Sequence, residues 1–497
     1  MTAAVIGLAA VAAVAGGFRW LRVAQREHYL AGSVVRFAIR WWLATGLNAI
    51  LLAAASIGAL AAWWWPQAGW AALALVAGPI GLSIRGTSSP LRWTPRMGRL
   101  AALVGVMASG GLLGSAITGQ PGWSLVTALL IPLLVDLSLG ALAPVERRLG
   151  ERWVERAAGK LSAAGARVVA ITGSYGKTTT KGYVNHLLSG HLSTVSTPGS
   201  FNNRMGLARS INEHLIPGAE VFVAEMGTYA KGEIAELCAF VRPDIAAITS
   251  IGPVHLERFG TEEAIAEAKA EILSNARVAV LNVDHPLLAD LADREENRLK
   301  VIRVSGSDAG ADVAVVDGEL SFAGRPVATV RPEVFGPNLA IAAAVAAEYG
   351  VSFEEIARRL SDLPTAPHRR EQTSSQGGFL IIDDTYNANP AGAAAALELL
   401  CSLPGDGRRV VVTPGMVELG RRQFEANVAF AREAAVRASD LVVVGLTNRR
   451  ALLSGSEGGT AAVTVRRSRQ EAVLWVRSHL QTGDAVLYEN DLPDHYP

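Results

Sequence analysis

Ile171-Thr172-Gly173-Ser174-Tyr175-Gly176-Lys177-Thr178-Thr179-Thr180 follows the apolar, β-branched run Val168-Val169-Ala170-Ile171 and opens a segment of helical pattern. A glycine turn between a strand and a helix, carrying lysine and threonine at its end, reads as a phosphate-binding loop. Gly173 and Gly176 let backbone N–H groups close around phosphate oxygens, and the helix N-terminus behind them favours negative charge. The Lys177 ammonium reaches the β/γ-phosphates and the Thr178 hydroxyl can ligate Mg2+, while Ser174, Tyr175 and Thr179 belong to the same nucleotide-binding loop. What the nucleotide drives must be read from the residues around it.

From 167 to about 363, short β-branched runs alternate with helical segments, which predicts a parallel sheet covered on both faces. Ligands of such sheets bind beyond the carboxyl ends of the strands. Glu225 follows the strand-like Val221-Phe222-Val223-Ala224, and Thr249 and His255 follow Ile245-Ala246-Ala247-Ile248. Residues 301–333 read as short antiparallel strands, and Asn338 to Tyr349 and Phe353 to Leu360 as helices. After the proline-rich join Leu363-Pro364-Thr365-Ala366-Pro367 a second αβ series begins. Three domains are expected: 1–150, 151–364 and 365–497.

Half of the 497 residues are hydrophobic and the mean hydropathy is +0.26, with the excess concentrated before residue 150. Apolar stretches at about 2–18, 42–65, 68–84, 101–118 and 123–143 approach the ~20 residues that cross a bilayer. The expectation is a transmembrane module of about five spans. Arg19, Arg22 and Arg26 follow the first stretch instead of preceding it, which favours a retained anchor over a cleaved signal. Arginines crowd the first and third loops and the segment after the last stretch, whereas Pro66-Gln67-Ala68-Gly69 and Gly119-Gln120-Pro121-Gly122 carry no charge. That alternation puts everything after residue 150 in the cytoplasm, below a multi-pass inner membrane anchor. Trp41, Trp42, Trp63, Trp64 and Trp65 sit where interfacial aromatics belong. Asp136, the acidic residue inside a span, either marks a polar pathway or reaches water near its helix end. A net charge of +1 gives no nucleic-acid surface, and Cys238 and Cys401 lack the spacing of a metal site or disulfide framework.

The sharper signal is the order of motifs. The phosphate loop is followed by Asn202-Asn203, Glu225-Met226-Gly227, His255-Leu256, Ala268-Lys269-Ala270-Glu271-Ile272, Asn338 and His368-Arg369. Then come Asp383-Asp384-Thr385-Tyr386-Asn387-Ala388-Asn389-Pro390 and Met416-Val417-Glu418-Leu419-Gly420. Over about residues 165 to 485 this order resembles the Mur ligase family, closest to its branch that adds D-alanyl-D-alanine to a UDP-linked muramoyl-tripeptide. The resemblance implies a central P-loop ATPase domain and a smaller Rossmann-like C-terminal domain behind the helical membrane module. It also implies an ATP-dependent amide ligase of cell-wall precursor synthesis, in which a carboxylate is activated as an acyl phosphate and captured by an amino acid or dipeptide amine.

By that resemblance Thr178 and Glu225 hold one Mg2+, and His255 with Lys269, a lysine often carbamylated in the family, supports a second. Asn338 contacts adenine, Arg369 reaches the nucleotide phosphates, and Asp384 contacts the ribose or anchors a closing hinge. Arg370 is chemically equivalent to Arg369, and the His-Arg register favours the latter. Asn202, Asn203, Asn387 and Asn389 fall on the substrate side. Lys177, His255, Lys269 and Arg369 form the expected catalytic set.

Two departures from the branch stand near the expected amine site: Thr413-Pro414-Gly415 before Met416, and Tyr488-Glu489-Asn490-Asp491 where a Lys-Gly-Ser-Arg type loop is expected. A third is the membrane module in place of a UDP-gripping domain, which makes a lipid-linked acceptor the natural alternative to a nucleotide-linked one. A ligase for another peptide polymer such as polyglutamate, or for another metabolite, and a non-catalytic ATP-binding scaffold remain as rival readings.

Overall fold

The computed structural model describes residues 2–86, 90–331, 334–364, 371–375, 377–385, 389–493 and 495–497. Arg369 and Asn387, with Arg370, lie outside them. The chain divides into two compact units: Leu149–Gly405 with Met416–Phe430, and Met1–Arg148 with Asp406–Gly415 and Ala431–Pro497.

The N-terminal part is helical, with α1 (Thr2–Arg26), α2 (Ser33–Leu43), α3 (Gly46–Ala61), α4 (Ala72–Ala77), α5 (Pro95–Thr118), α6 (Gly122–Leu129) and α7 (Ile131–Ala164). Among the described residues, α1 and α5 are each long and apolar enough to cross a membrane, while α2/α3 and α6/α7 qualify as pairs bent by 112° and 66°. Against the five apolar stretches expected, the described residues give two helices of spanning length, or four if each bent pair is counted as one. The stretch at 68–84 forms a 3-10 turn, Pro66–Ala71, and then the short α4, which ends at an extended Gly78. Pro79 follows, and proline both disfavours helical backbone in the residue before it and cannot supply the next N–H.

Buried polar side chains of this module are used on backbone groups. Arg19 donates to Gly78 O and Val76 O, each at 2.9 Å, and Arg22 to Ser83 O at 2.9 Å, so both guanidiniums serve carbonyls at and beyond the end of α4. Asn48 receives Ile80 N at 2.9 Å and donates to Trp41 O at 3.0 Å. The Asp136 carboxylate is buried and accepts from Val34 N at 3.2 Å and Val35 N at 2.8 Å, so it caps the start of α2. Trp41 and Trp42 are buried, whereas Trp64 and Trp65 are exposed.

The same unit contains β12 to β15, defined below, and the tail 495–497. Trp41 Nε1 donates to His495 O at 2.8 Å, His495 Nε2 meets Glu27 Oε1 at 3.0 Å, and Tyr496 packs edge-on against Phe37. Leu446 N and Thr447 N donate to Pro497 O at 3.2 and 3.0 Å.

The other unit is built on nine strands. In chain order they and their helices are β1 (Arg167–Thr172), α8 (Lys177–Leu188), β2 (Thr194–Ser196), α9 (Arg204–His214), β3 (Val221–Glu225), α10 (Glu233–Val241), β4 (Ile245–Ile248), α11 (Leu256–Phe259), α12 (Glu262–Ala270), β5 (Val278–Asn282), α13 (Pro286–Glu295), β6 (Lys300–Ser305), β7 (Val313–Val316), β8 (Glu319–Phe322), β9 (Arg325–Thr329), α14 (Gly336–Glu348) and α15 (Phe353–Arg359). The sheet order is β2-β3-β1-β4-β5-β6-β7-β8-β9. Pairing is parallel through β7 and antiparallel from β7 to β9, so the antiparallel part begins after β7, later than residue 301.

Residues along each strand alternate between two cores, as the period-2 pleat requires. Val168, Ala170, Phe222, Ala224, Ala246 and Ile248 join Leu207, Leu237 and Leu288 from α9, α10 and α13 on one face. Val169, Ile171, Val221, Val223, Ile245 and Ala247 join Leu187 of α8 and Leu339 of α14 on the other. Burial on both faces explains why these strands read as unbroken apolar runs.

This unit also holds the antiparallel hairpin β10 (Glu371–Ser374) and β11 (Leu380–Asp384), and α16 (Pro390–Ser402). Then follow β12 (Arg409–Thr413), α17 (Gln423–Arg437), β13 (Asp440–Val444), α18 (Arg449–Ser456), β14 (Ala462–Arg466), α19 (Arg469–His479) and β15 (Ala485–Glu489). The last four strands are parallel neighbours in the order β15-β12-β13-β14.

Candidate active site

The loop after β1 needs both of its glycines. A Cβ on Gly173, φ 153°, would stand 1.9 Å from Thr249 Oγ1, and one on Gly176, φ 81°, would stand 2.4 Å from Asn338 Oδ1. Those approaches show what holds the loop: the end of β4 on one side and α14 on the other. Tyr175 N donates to Ser250 Oγ at 2.8 Å, Ser174 Oγ donates to Gly252 O at 3.2 Å, and the Thr249 hydroxyl donates to Tyr175 O. Lys177 begins α8 and curls over the loop, its Nζ donating to Gly173 O at 2.7 Å. Asn338 is buried against Gly176 from the first turn of α14.

Glu225 ends β3 in register with Ile171 of β1, which brings its carboxylate beside the loop. It is 1% exposed and fully engaged. Oε2 accepts from Thr178 Oγ1 at 3.0 Å and from Lys181 Nζ at 3.0 Å, and Oε1 accepts from Asn202 Nδ2 at 3.1 Å. Lys181, one helical turn beyond Lys177 on α8, was not among the expected residues. It is buried and also donates to Gly199 O at 2.5 Å, so it joins the 197–203 loop to the carboxylate. Its i+4 spacing from Lys177 is the sequence signal that could have pointed to it.

The residues present fit Mg2+ in one respect: a hydroxyl and a carboxylate lie side by side at the head of a phosphate loop. Among the described residues no group of three or more His, Cys, Asp or Glu gathers. The hydroxyl–carboxylate pair suits an ion that keeps several waters and borrows phosphate oxygens.

His255 stands in left-handed backbone, φ 59°, before α11. Its Nδ1 is paired with the Glu418 carboxylate, Leu256 N donates to Glu418 O at 3.1 Å, and the ring sits edge-on to Tyr229 at 4.7 Å. The Met416–Gly420 motif therefore fixes the histidine, a contact across 163 positions of sequence. Lys269, in the last turn of α12, is buried and makes no hydrogen bond among the described residues. Burial, then repulsion from Lys177, pushes its pKa well below the usual lysine value, so the amine is held towards its neutral form. Neither His255 nor Lys269 is hydrogen-bonded to Glu225.

Two expected substrate residues have structural work of their own. Asn203 caps α9, accepting from Gly206 N at 2.9 Å, and Asn389 caps α16, accepting from Gly392 N at 2.8 Å. Asp384 ends β11. In the other unit, the two departures from the family pattern touch each other. The Thr413 hydroxyl donates to the buried Glu489 carboxylate and receives Gly415 N at 2.8 Å, and Asn490 Nδ2 donates to Gly415 O at 2.7 Å. They are one local rearrangement, since each replaced residue supplies the other's partner.

Residues 171–344 match the Mur ligase middle domain, and residues 368–488 match the Mur ligase, glutamate ligase domain. The UDP-N-acetylmuramoyl-tripeptide--D-alanyl-D-alanine ligase of Mycobacterium leprae is 33% identical over 377 residues, a match covering 66% of this chain and 72% of that protein. The Bacillus subtilis ligase of the same name is 36% identical over 267 residues, 52% of this chain and 57% of its own length. The MurF ligase of Thermotoga maritima in complex with ADP shares the fold with a TM-score of 0.57 and 27% identity, covering 69% of this chain and 80% of that one. The chain belongs to the Mur ligase family, a family of ATP-dependent ligases. The relatives quoted carry the name of the ligase that adds D-alanyl-D-alanine to the muramoyl-tripeptide.

Proposed function

We propose that the chain is a membrane-anchored ligase that joins D-alanyl-D-alanine to a muramoyl-peptide in peptidoglycan precursor synthesis, with its catalytic domains on the cytoplasmic side of a bacterial inner membrane. The observation that carries this is the convergence of Lys177, Thr178, Asn202 and Glu225 at the carboxyl ends of β1 and β3, in a chain whose relatives bear that name.

A substrate carboxylate oxygen attacks the γ-phosphorus of ATP, ADP departs, and the resulting acyl phosphate is attacked at its carbonyl carbon by the amine, releasing phosphate. Negative charge gathers on the transferring group, and Lys177 at the loop stabilises it electrostatically. Mg2+ held by Thr178 and Glu225 would supply further neutralisation of that charge. Asn202 and Lys181 fix the Glu225 carboxylate, and Asn338 buttresses the loop against the adenine side. Glu418 orients His255 through Nδ1. Burial and Lys177 favour the neutral amine of Lys269, the form that adds carbon dioxide to become a carbamate. Arg369, Asp384 and Asn387 complete the proposed nucleotide and amine contacts.

One observation favours a second form of this reading. The matches to both family domains begin after the helical module, whose α1 and α5 are long enough to span a bilayer, so a lipid-linked muramoyl-peptide replaces the UDP-linked one. Detergent-purified full chain, ATP, Mg2+ and D-alanyl-D-alanine, offered each acceptor in parallel, tests both. A dipeptide-sized mass gain on one acceptor, absent in Lys177→Ala, supports the ligase and chooses the acceptor. ATP turnover with no gain on either moves the assignment to another amine or polymer, polyglutamate included. Wild-type function retained by Lys177→Ala in cells would turn it to a scaffold.

A further inference from the structure

A cleft of about 550 Å3 lies within the unit that contains the helical module and the last four strands. That volume is in the usual range of small-molecule sites, ~300–1,000 Å3. Its floor is apolar, from Leu446, Leu453 and Ala44, the last in the break between α2 and α3. Its polar side is Arg449 and Arg450 at the start of α18, with Ser454 one turn on; Glu457, the one carboxylate, is outnumbered by the two guanidiniums.

The Arg449 side chain spends Nε on Gly445 O at 2.9 Å and makes no other hydrogen bond among the described residues. A half-buried guanidinium fixed by Nε keeps its terminal N–H groups as a fork suited to phosphate oxygens. The chain on either side of Ala44 is apolar and open to solvent: Ile39, Leu43 and Leu47 are 56%, 65% and 55% exposed. A free anion has no use for that surface. An amphiphile uses both halves, with its phosphate at the arginines and its chains along α2 and α3.

We propose that this cleft binds the phosphate headgroup of an anionic membrane lipid. The site rests on the membrane-anchored reading, and it holds the C-terminal strands against the anionic face of the bilayer, where each basic residue near the surface adds attraction. Nothing in the ligase chemistry uses Arg449 or Arg450.

The test uses the full chain. Flotation with phosphatidylcholine vesicles checks the membrane reading alone, and wild type and Arg449→Ala/Arg450→Ala should both float. Short-chain phosphatidic acid, short-chain phosphatidylcholine and inorganic phosphate are then titrated against the protein in neutral detergent, following its thermal midpoint. Phosphatidic acid should raise the midpoint of wild type. The double variant should need about tenfold more lipid or greater, the loss of one charge-assisted contact or more. Phosphatidylcholine and inorganic phosphate should leave the midpoint unchanged. Arg449→Lys/Arg450→Lys, which keeps the charge without the fork, should recover only part of the response, and Arg450→Ala alone, at an exposed position, serves if the double variant does not fold.

An equal response from the double alanine variant overturns the site while leaving the anchor standing. An equal response to inorganic phosphate replaces the lipid with a free anion. Failure of wild type to float removes the membrane reading and the site with it.

Discussion

Two buried carboxylates divide the molecule by purpose. Asp136 in the helical module accepts from backbone N–H groups at the start of α2. Glu225 in the central sheet accepts from a hydroxyl, an ammonium and an amide, all side chains. Arg19 and Asn48 repeat the first pattern, and Lys181, through its bond to Glu225, belongs to the second. Where a buried polar group answers the backbone, it makes a helix break tolerable. Where it answers other side chains beside a phosphate loop, it assembles charge for chemistry. Burial alone would not have told them apart.

The comparison can be broken most directly at Glu225. Glu225→Gln should cut ligation by about a thousandfold, the loss expected for a group that organises transition-state charge. A Mg2+ titration of nucleotide binding should show a raised requirement with the fold intact. Near-normal turnover would put Glu225 in the class of Asp136.

Lys181→Met leaves that carboxylate buried without its cation, and should cost about 3 kcal/mol of stability in denaturant unfolding. Lys181→Arg should restore part of it. An unchanged midpoint would make the pair incidental.

Asp136→Ala should cost ~1–2 kcal/mol, the worth of a helix cap, with ATP turnover unaltered in the protein that remains folded. A drop in turnover beyond the loss of folded protein would instead make the module part of the site.

The smallest effect concerns pH. Lys269 has its folded pKa below the ordinary value of 10.5, so between those two values the unfolded chain binds the proton more readily. Stability therefore rises with pH across that window, by at most about 1.4 kcal/mol per unit. Lys269→Met should remove this part of the slope in unfolding curves taken from neutral to alkaline pH, and an unchanged slope would mean the amine is charged in the fold.

The phosphate loop and the central strands were legible because their signals are local: glycine spacing, and apolar runs of strand length. Strand direction was not, since β-branched residues announce a strand and not its partner, so β6 proved parallel to β5. Hydropathy windows measure apolar length and miss breaks, which is why Pro66 and the Gly78-Pro79 step reduced five expected spans. Asn203 and Asn389 carry an Asn-x-x-Gly cap pattern that the substrate reading overlooked. The Glu418 partner of His255 lies too far along the chain for any local rule to join them. The pairing of Thr413 with Glu489 was hidden for the same reason, and two departures that looked separate are coupled.

The buried contact of His495 with Glu27 and Trp41 makes the helical module and the tail a single unit of exchange. A chimaera that grafts this module onto a related ligase must carry residues 495–497 with it, or lose the buried acceptor of the Trp41 indole N–H. In this lineage residues 27, 37 and 41 are therefore expected to vary in concert with 495 and 496, as inseparable as the two halves of a hinge.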